Sequence, residues 1–122
     1  MARILYADDY VAFHPYFLRA AKRAGHEGVA VGDAVQGWEL IEKGEVFDLI
    51  ISDFNMPEMD GLTFLRKVRS IDVFVRVPFV LISGNADKDK LAGVASEMGA
   101  EFIEKSDMVA FDPIITKYLS QK

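Results

Sequence analysis

Five side chains hold most of the chemistry open to this chain: Asp8, Asp9, Asp53, Ser83 and Lys105. Each closes a short apolar run. Asp8 and Asp9 follow Ile4-Leu5-Tyr6-Ala7, and Asp53 follows Phe47-Asp48-Leu49-Ile50-Ile51-Ser52. Ser83 follows Pro78-Phe79-Val80-Leu81-Ile82, and Lys105 follows Glu101-Phe102-Ile103-Glu104. Runs of this length read as strands. In a parallel α/β sheet the carboxyl ends of the strands form the crevice where ligands bind. Three carboxylates, a hydroxyl and an ammonium gathered there suit a divalent metal and a phosphoryl group.

The elements that must deliver these groups alternate. Apolar runs of four to six residues exchange with segments of helical periodicity, the pattern of βαβ units around a parallel sheet. After the first strand, Phe17, Ala21 and Ala24, with Leu18 beside them, predict a helix stopped by Gly25. Val29-Ala30-Val31 is a short second strand. Asp33 caps a helix with Ala34, Trp38 and Ile41 inward and Gly44 after it. Strand three bears Asp53, and Asp60-Gly61 opens a helix with Leu62, Leu65 and Val68 inward. Pro78 begins strand four, where no ladder donor is required. An Asp87-capped helix with Leu91, Val94, Ala95 and Met98 inward then runs to Gly99. Strand five follows. Ser106 or Asp107 caps a last helix carrying Met108, Phe111, Ile115 and Leu119. The expected architecture is α/β, (βα)5, doubly wound with helices on both faces. One domain fills residues 1–122.

Composition narrows the field. The chain has 122 residues, enough for one real core, and its net charge is −5 with lysine and arginine scattered. An acidic domain without a basic stripe is a poor candidate for direct nucleic-acid binding. Cysteine is absent, which removes disulfides, thiolate zinc sites and cysteine nucleophiles. No apolar stretch is long enough to cross a bilayer and no signal peptide is visible, so the expected location is cytoplasmic. His14 and His26 are read as surface or capping residues, and Trp38 with most of the phenylalanines as core.

The ordered set Asp8-Asp9, Asp53, Ser83 and Lys105, with Met56-Pro57-Glu58-Met59-Asp60-Gly61 after the central acid, resembles the receiver domain of bacterial two-component response regulators. The spacings agree as well: Asp53 lies 44 positions after Asp9, Ser83 lies 30 after Asp53, and Lys105 lies 22 after Ser83. The resemblance implies a five-stranded parallel sheet in the order 2-1-3-4-5. It implies Asp53 as phosphoacceptor and Mg2+ as the cofactor. Asp9 and Asp53 would be direct ligands, Asp8 direct or through water, and the main-chain carbonyl of Asn55 a further ligand. Lys105 would contact the phosphoryl oxygens after first pairing with Asp53, and Ser83 would donate a hydrogen bond to one of them.

By the same resemblance Ser83 and Phe102 form a switch that remodels the surface of the fourth helix, fifth strand and fifth helix for a downstream protein. Asn55 and Asn85 flank the path of water to a phosphoryl state lasting seconds to minutes. The donor would be a histidine kinase or a histidine phosphotransfer protein. One departure stands out: Ser106 follows Lys105 where the family usually has proline. That leaves a receiver-like interaction module that is not phosphorylated as one alternative. A Mg2+-dependent phosphatase with an aspartate nucleophile is another, opposed by Asn55 standing where such an enzyme needs a second acid. Phe102 could equally be plain core. Gly93, inside the fourth helix, either loosens it or permits close packing.

Overall fold

The computed structural model describes residues 1–84, 88–105 and 111–119, with backbone alone at 88–90. Five strands and five helices alternate: β1 (Arg3–Ala7), α1 (His14–Arg23), β2 (Glu27–Val31), α2 (Ala34–Glu42), β3 (Leu49–Asp53), α3 (Gly61–Arg69), β4 (Phe79–Ser83), α4 (Lys88–Glu97), β5 (Glu101–Glu104) and α5 (Asp112–Leu119). The strands form one parallel sheet in the order β2-β1-β3-β4-β5. This is the expected doubly wound (βα)5 fold.

Strand alternation divides the core in two. Leu5, Ala7, Ile50, Phe79 and Leu81 face one side and pack against Ala34 and Ile41 of α2, Phe64, Leu65 and Val68 of α3, and Ala95 of α4. Ile4, Tyr6, Leu49, Ile51, Val80 and Ile82 face the other, against Phe17, Ala20 and Ala21 of α1 and Phe111, Ile114 and Ile115 around α5. The central strands β3 and β4 are buried along their whole length, whereas the edge strands β2 and β5 are only partly covered. Near-continuous apolar runs are what a sheet covered on both faces requires.

Several local expectations shift. The inner face of α1 is Phe17, Ala20 and Ala21; Leu18 is 42% exposed, and Ala24 is the exposed C-cap beyond the last turn. The helix docks on a narrower stripe than its apolar residues suggested. Trp38 is half-buried, with the Lys67 ammonium 5.0 Å from its ring centroid across the α2–α3 seam. Strand β2 begins at Glu27 because its five residues pair in register with all of β1. Asp33 and Asp60 cap as expected, accepting from the Gln36 and Thr63 N–H groups at 2.9 and 2.8 Å. Pro78 lies just outside β4, yet its carbonyl accepts from the Ile50 N–H at 3.0 Å. The expected caps Asp87, Ser106 and Asp107, together with Asn85 and Met108, lie outside the described residues, and the described part of the last helix starts at Asp112.

At the amino ends of the strands, away from the acids, Arg69 ties three elements together. Its guanidinium donates to the carbonyls of Met98 and Phe74 at 2.8 Å, Val77 at 2.9 Å and Gly99 at 3.1 Å. Of the two histidines read as surface or capping residues, His26 departs furthest from that reading. His26 is buried, and its Nδ1 accepts from the Ala2 N–H at 3.0 Å. His14 is half-buried at the start of α1, its Nε2 2.8 Å from the Asp8 carbonyl oxygen.

Candidate functional site

Two strands end in the acids of this cluster or stop beside them. Asp8 and Asp9 leave β1, Asp53 closes β3, and one carboxylate oxygen from each lies within 4.8 Å of the others. Asp8 is fully buried, Asp53 is 6% exposed and Asp9 is exposed. Ser83 ends β4 in full burial, and Lys105 immediately follows β5. The register sets this convergence: Ser52 pairs with Ala7, Asp53 with Ile82, and Ser83 with Glu104. All five groups therefore reach the same end of the sheet.

The main chain under Asp53 is held closely. The Phe54 N–H donates to the Ile82 carbonyl at 2.8 Å, the Gly61 N–H donates to the Phe54 carbonyl at 2.8 Å, and the Ser52 hydroxyl donates to the Asp53 carbonyl at 2.9 Å. Gly61 meets this loop where no side chain fits: a Cβ there would lie 2.3 Å from the Asp53 carbonyl oxygen and 2.6 Å from Leu81 Cδ1. The turn between β3 and α3 thus presses directly on the central acid. Asn55 is exposed in that turn, and Glu58 adopts a left-handed φ of 70°.

Charge around Asp53 is unbalanced. Burial pushes its carboxyl up to about 6, and the Asp8 charge adds to this; Lys105 and the Phe54 N–H oppose it, while Asp9 contributes a smaller push upward. Lys105 pairs with Asp53 as expected, but more closely with Asp8. Its Nζ lies 3.0 Å from Asp8 Oδ2 and 3.3 Å from Asp8 Oδ1, but 3.6 Å from Asp53 Oδ2. Asp8 is the more buried carboxylate and draws the ammonium toward itself. Two aromatic rings back the lysine, with centroids 5.7 Å (Tyr10) and 5.4 Å (Phe13) from Nζ, a cation–π arrangement.

Three ionised carboxylates against one ammonium leave two uncompensated negative charges in a largely buried cluster. A hard dication with oxygen ligands fits this donor set in both charge and chemistry. Among the described residues, no nitrogen or sulfur ligand belongs to the cluster.

Four residues at the site escaped sequence reasoning. The Tyr6 hydroxyl donates to Asp8 Oδ2 at 2.5 Å, the Tyr10 N–H donates to Asp8 Oδ1 at 2.9 Å, His14 touches the Asp8 carbonyl, and Phe13 backs Lys105. Burial, reinforced by the bond to Asp8, holds the Tyr6 hydroxyl protonated well above the ordinary phenol range. The period-two rule puts residues 6 and 8 on one face of β1, so the Tyr6–Asp8 pair had a signal. The Tyr10 and Phe13 positions depend on the loop and had none. Phe102 is partly buried against the α2–α4 side of the core and also lines a groove with Ala92, Ser96, Lys117 and Tyr118 between α4 and α5.

Comparison with known proteins agrees with this geometry. The family model described as "Response regulator receiver domain" matches residues 4–111. The CheY homolog of Campylobacter jejuni, described as a chemotaxis protein, is 30% identical over 87 residues, covering 70% of this chain and 67% of the relative. The chemotaxis protein CheY1 of Helicobacter pylori is 31% identical over 87 residues, covering 70% of each. Among solved structures, the chemotaxis response regulator CheY4 of Vibrio cholerae superposes with a TM-score of 0.76 at 26% identity, over 86% of this chain and 87% of that one.

Proposed function

We propose that this chain, which belongs to the response regulator receiver domain family, takes a phosphoryl group onto Asp53 and signals through its α4-β5-α5 surface. The observation that carries the reading is the meeting of Asp8, Asp9 and Asp53 within 4.8 Å, with the Lys105 ammonium between Asp8 and Asp53. Asp9 and Asp53 would hold Mg2+, with Asp8 bound directly or through water and the Asn55 carbonyl completing the protein's share. When bound, the ion supplies positive charge to the carboxylates and to incoming phosphoryl oxygens.

The residues of the chain do the remaining work. An Asp53 carboxylate oxygen attacks phosphorus as the bond from phosphorus to the donor breaks, leaving an acyl phosphate. Lys105 gives up Asp8 and moves onto a phosphoryl oxygen, exchanging one anion for another. The Ser83 hydroxyl donates to a second oxygen. Positioning and charge stabilisation account for the catalysis; no general base is needed for a carboxylate that is already ionised at pH 7. Histidine kinases or histidine phosphotransfer proteins are the expected donors. Similarity to part of the sensor histidine kinase CheAY of Helicobacter pylori, 30% over 104 residues, supports that class.

Output would depend on Ser83 and Phe102. Leu81 pairs with Phe102 and Ser83 with Glu104, so Phe102 lies two residues back from the hydroxyl on the neighbouring strand. By alternation from Phe79 and Leu81, Ser83 faces the α2–α4 side, the side on which Phe102 packs. A hydroxyl drawn toward phosphate vacates space on the aromatic ring's own face. Asn55 is left to orient water during hydrolysis.

Incubation with Mg2+ and acetyl phosphate, read by intact mass, tests the proposal. One phosphate adduct, absent from Asp53→Ala and absent without Mg2+, is the expected result. Multiple turnover of phosphate esters would point instead to a phosphatase. No adduct with acetyl phosphate or with a phosphorylated histidine phosphotransfer protein would leave a silent interaction module.

A further inference from the structure

We propose that the Tyr6 hydroxyl is a positioning group for the metal site, fixing the Asp8 carboxylate from beneath so that its remaining lone pairs face the pocket. The inference rests on the proposed role of Asp8 in holding Mg2+, directly or through water. Its own basis is the set of donors around Asp8. Oδ2 accepts from the Tyr6 hydroxyl at 2.5 Å and Oδ1 from the Tyr10 N–H at 2.9 Å, while the Lys105 ammonium bridges both oxygens at 3.0 and 3.3 Å. A carboxylate offers about four acceptor sites. All four are filled, two by fixed donors and two by a mobile ammonium. Once Lys105 moves away, only the sites it leaves are open, and they face the pocket.

Tyr6 is suited to hold such a position. Its side chain is fully buried, and its ring packs against Phe111 at 5.0 Å, Phe17 at 5.1 Å and His14 at 5.5 Å between centroids. The ring therefore has one place to sit, and its hydroxyl one acceptor. A neutral donor restricts the orientation of Asp8 without cancelling the negative charge that attracts a dication. A second cation in the same place would cancel it. Hydrogen-bond partners behind metal ligands typically change metal affinity by about 10- to 100-fold when removed.

The test is Mg2+ affinity by titration calorimetry on the wild type, Tyr6→Phe and Phe111→Leu, with thermal stability measured without metal. Tyr6→Phe keeps the ring and should weaken Mg2+ binding by about tenfold. Phe111→Leu disturbs the same packing but leaves the hydroxyl, and should lower stability with Mg2+ affinity changed less than twofold. In an Asp8→Asn background, Tyr6→Phe should have no further effect. Should Tyr6→Phe fail to fold, the wild type still decides: Tyr6 ring resonances in NMR should shift in step with Mg2+ saturation. Unshifted resonances, or a folded Tyr6→Phe protein binding Mg2+ as well as or better than a binding-competent wild type, would overturn the Tyr6 role alone. A wild type that does not bind Mg2+ would overturn the metal site and this inference together.

Discussion

Asp53 is both the proposed nucleophile and a source of instability in the metal-free protein. Its carboxyl is raised from an ordinary 3.8 to about 6 by burial and by Asp8. Between about pH 4 and pH 6 the folded protein therefore binds more protons at this group than the unfolded chain does. The contribution of Asp53 to stability is greatest below pH 4, declines as pH rises through 6, and is level above that. Asn at this position carries no charge to bury. In the presence of a chelator, Asp53→Asn should be more stable than the wild type at pH 7.5, by on the order of 3 kcal/mol at most. The gap should close near pH 4. Urea denaturation at both pH values measures it, and a gap independent of pH would contradict the raised value. The same burial that makes the group costly when ionised also makes a dication beside it favourable.

At the scale of elements, two glycines give opposite expectations. Gly61 is the first residue of α3, and its missing Cβ is what lets that helix start against the end of β3. A methyl group at 2.3 Å from a backbone oxygen forces the loop to move. Gly61→Ala should cost about 2–3 kcal/mol and weaken Mg2+ binding, because the displaced backbone carries Asp53. Gly93 in α4 is exposed, and among the described residues a Cβ there meets nothing within 4 Å. No described neighbour calls for close packing there, which favours local loosening of the helix as its reason. Gly93→Ala should therefore stabilise the protein by about 0.5–1 kcal/mol. Chemical denaturation midpoints of the two variants settle both expectations. Destabilisation by Gly93→Ala would mean that α4 needs glycine for a contact.

For the whole molecule, the two cores meet the site from opposite sides. Tyr6 belongs to the α1–α5 side and Phe102 packs on the α2–α4 side; strand alternation puts Asp8 with the first and Ser83 with the second. The sheet thus separates the group proposed to position the metal site from the group proposed to carry the signal. Moving such a two-state equilibrium from about 1:99 to 99:1 takes ~5.5 kcal/mol of differential binding. In the proposed phosphorylated form, the source of that difference is a dianion meeting Lys105, the Ser83 hydroxyl and Mg2+. Structures with and without beryllofluoride and Mg2+ should show Phe102 in different rotamers, turned further inward in the loaded form, with the groove beside Tyr118 reshaped. One rotamer in both states would make Phe102 ordinary core. At the opposite end of the strands, the Arg69 guanidinium donates to the carbonyls of Phe74, Val77, Met98 and Gly99 and ties that end together.

The amino-acid order alone determined which residues end strands and therefore which could meet. Asp8, Asp9, Asp53, Ser83 and Lys105 each follow an apolar run, and strand-end position is set by local periodicity, which survives without any tertiary knowledge. Local signals likewise placed the caps Asp33 and Asp60. What the linear pattern could not decide was how charges and rings pair across elements. Lys105 lies closer to Asp8 than to Asp53, Tyr10 and Phe13 back that lysine, and His26 is buried beside Ala2, just ahead of β1. Each of these depends on the depth at which one crossover seats a helix or loop on the sheet. Periodicity names the face of a residue; only the packed chain fixes its distance from a neighbour far away in sequence, and electrostatic preference is decided by that distance and by burial.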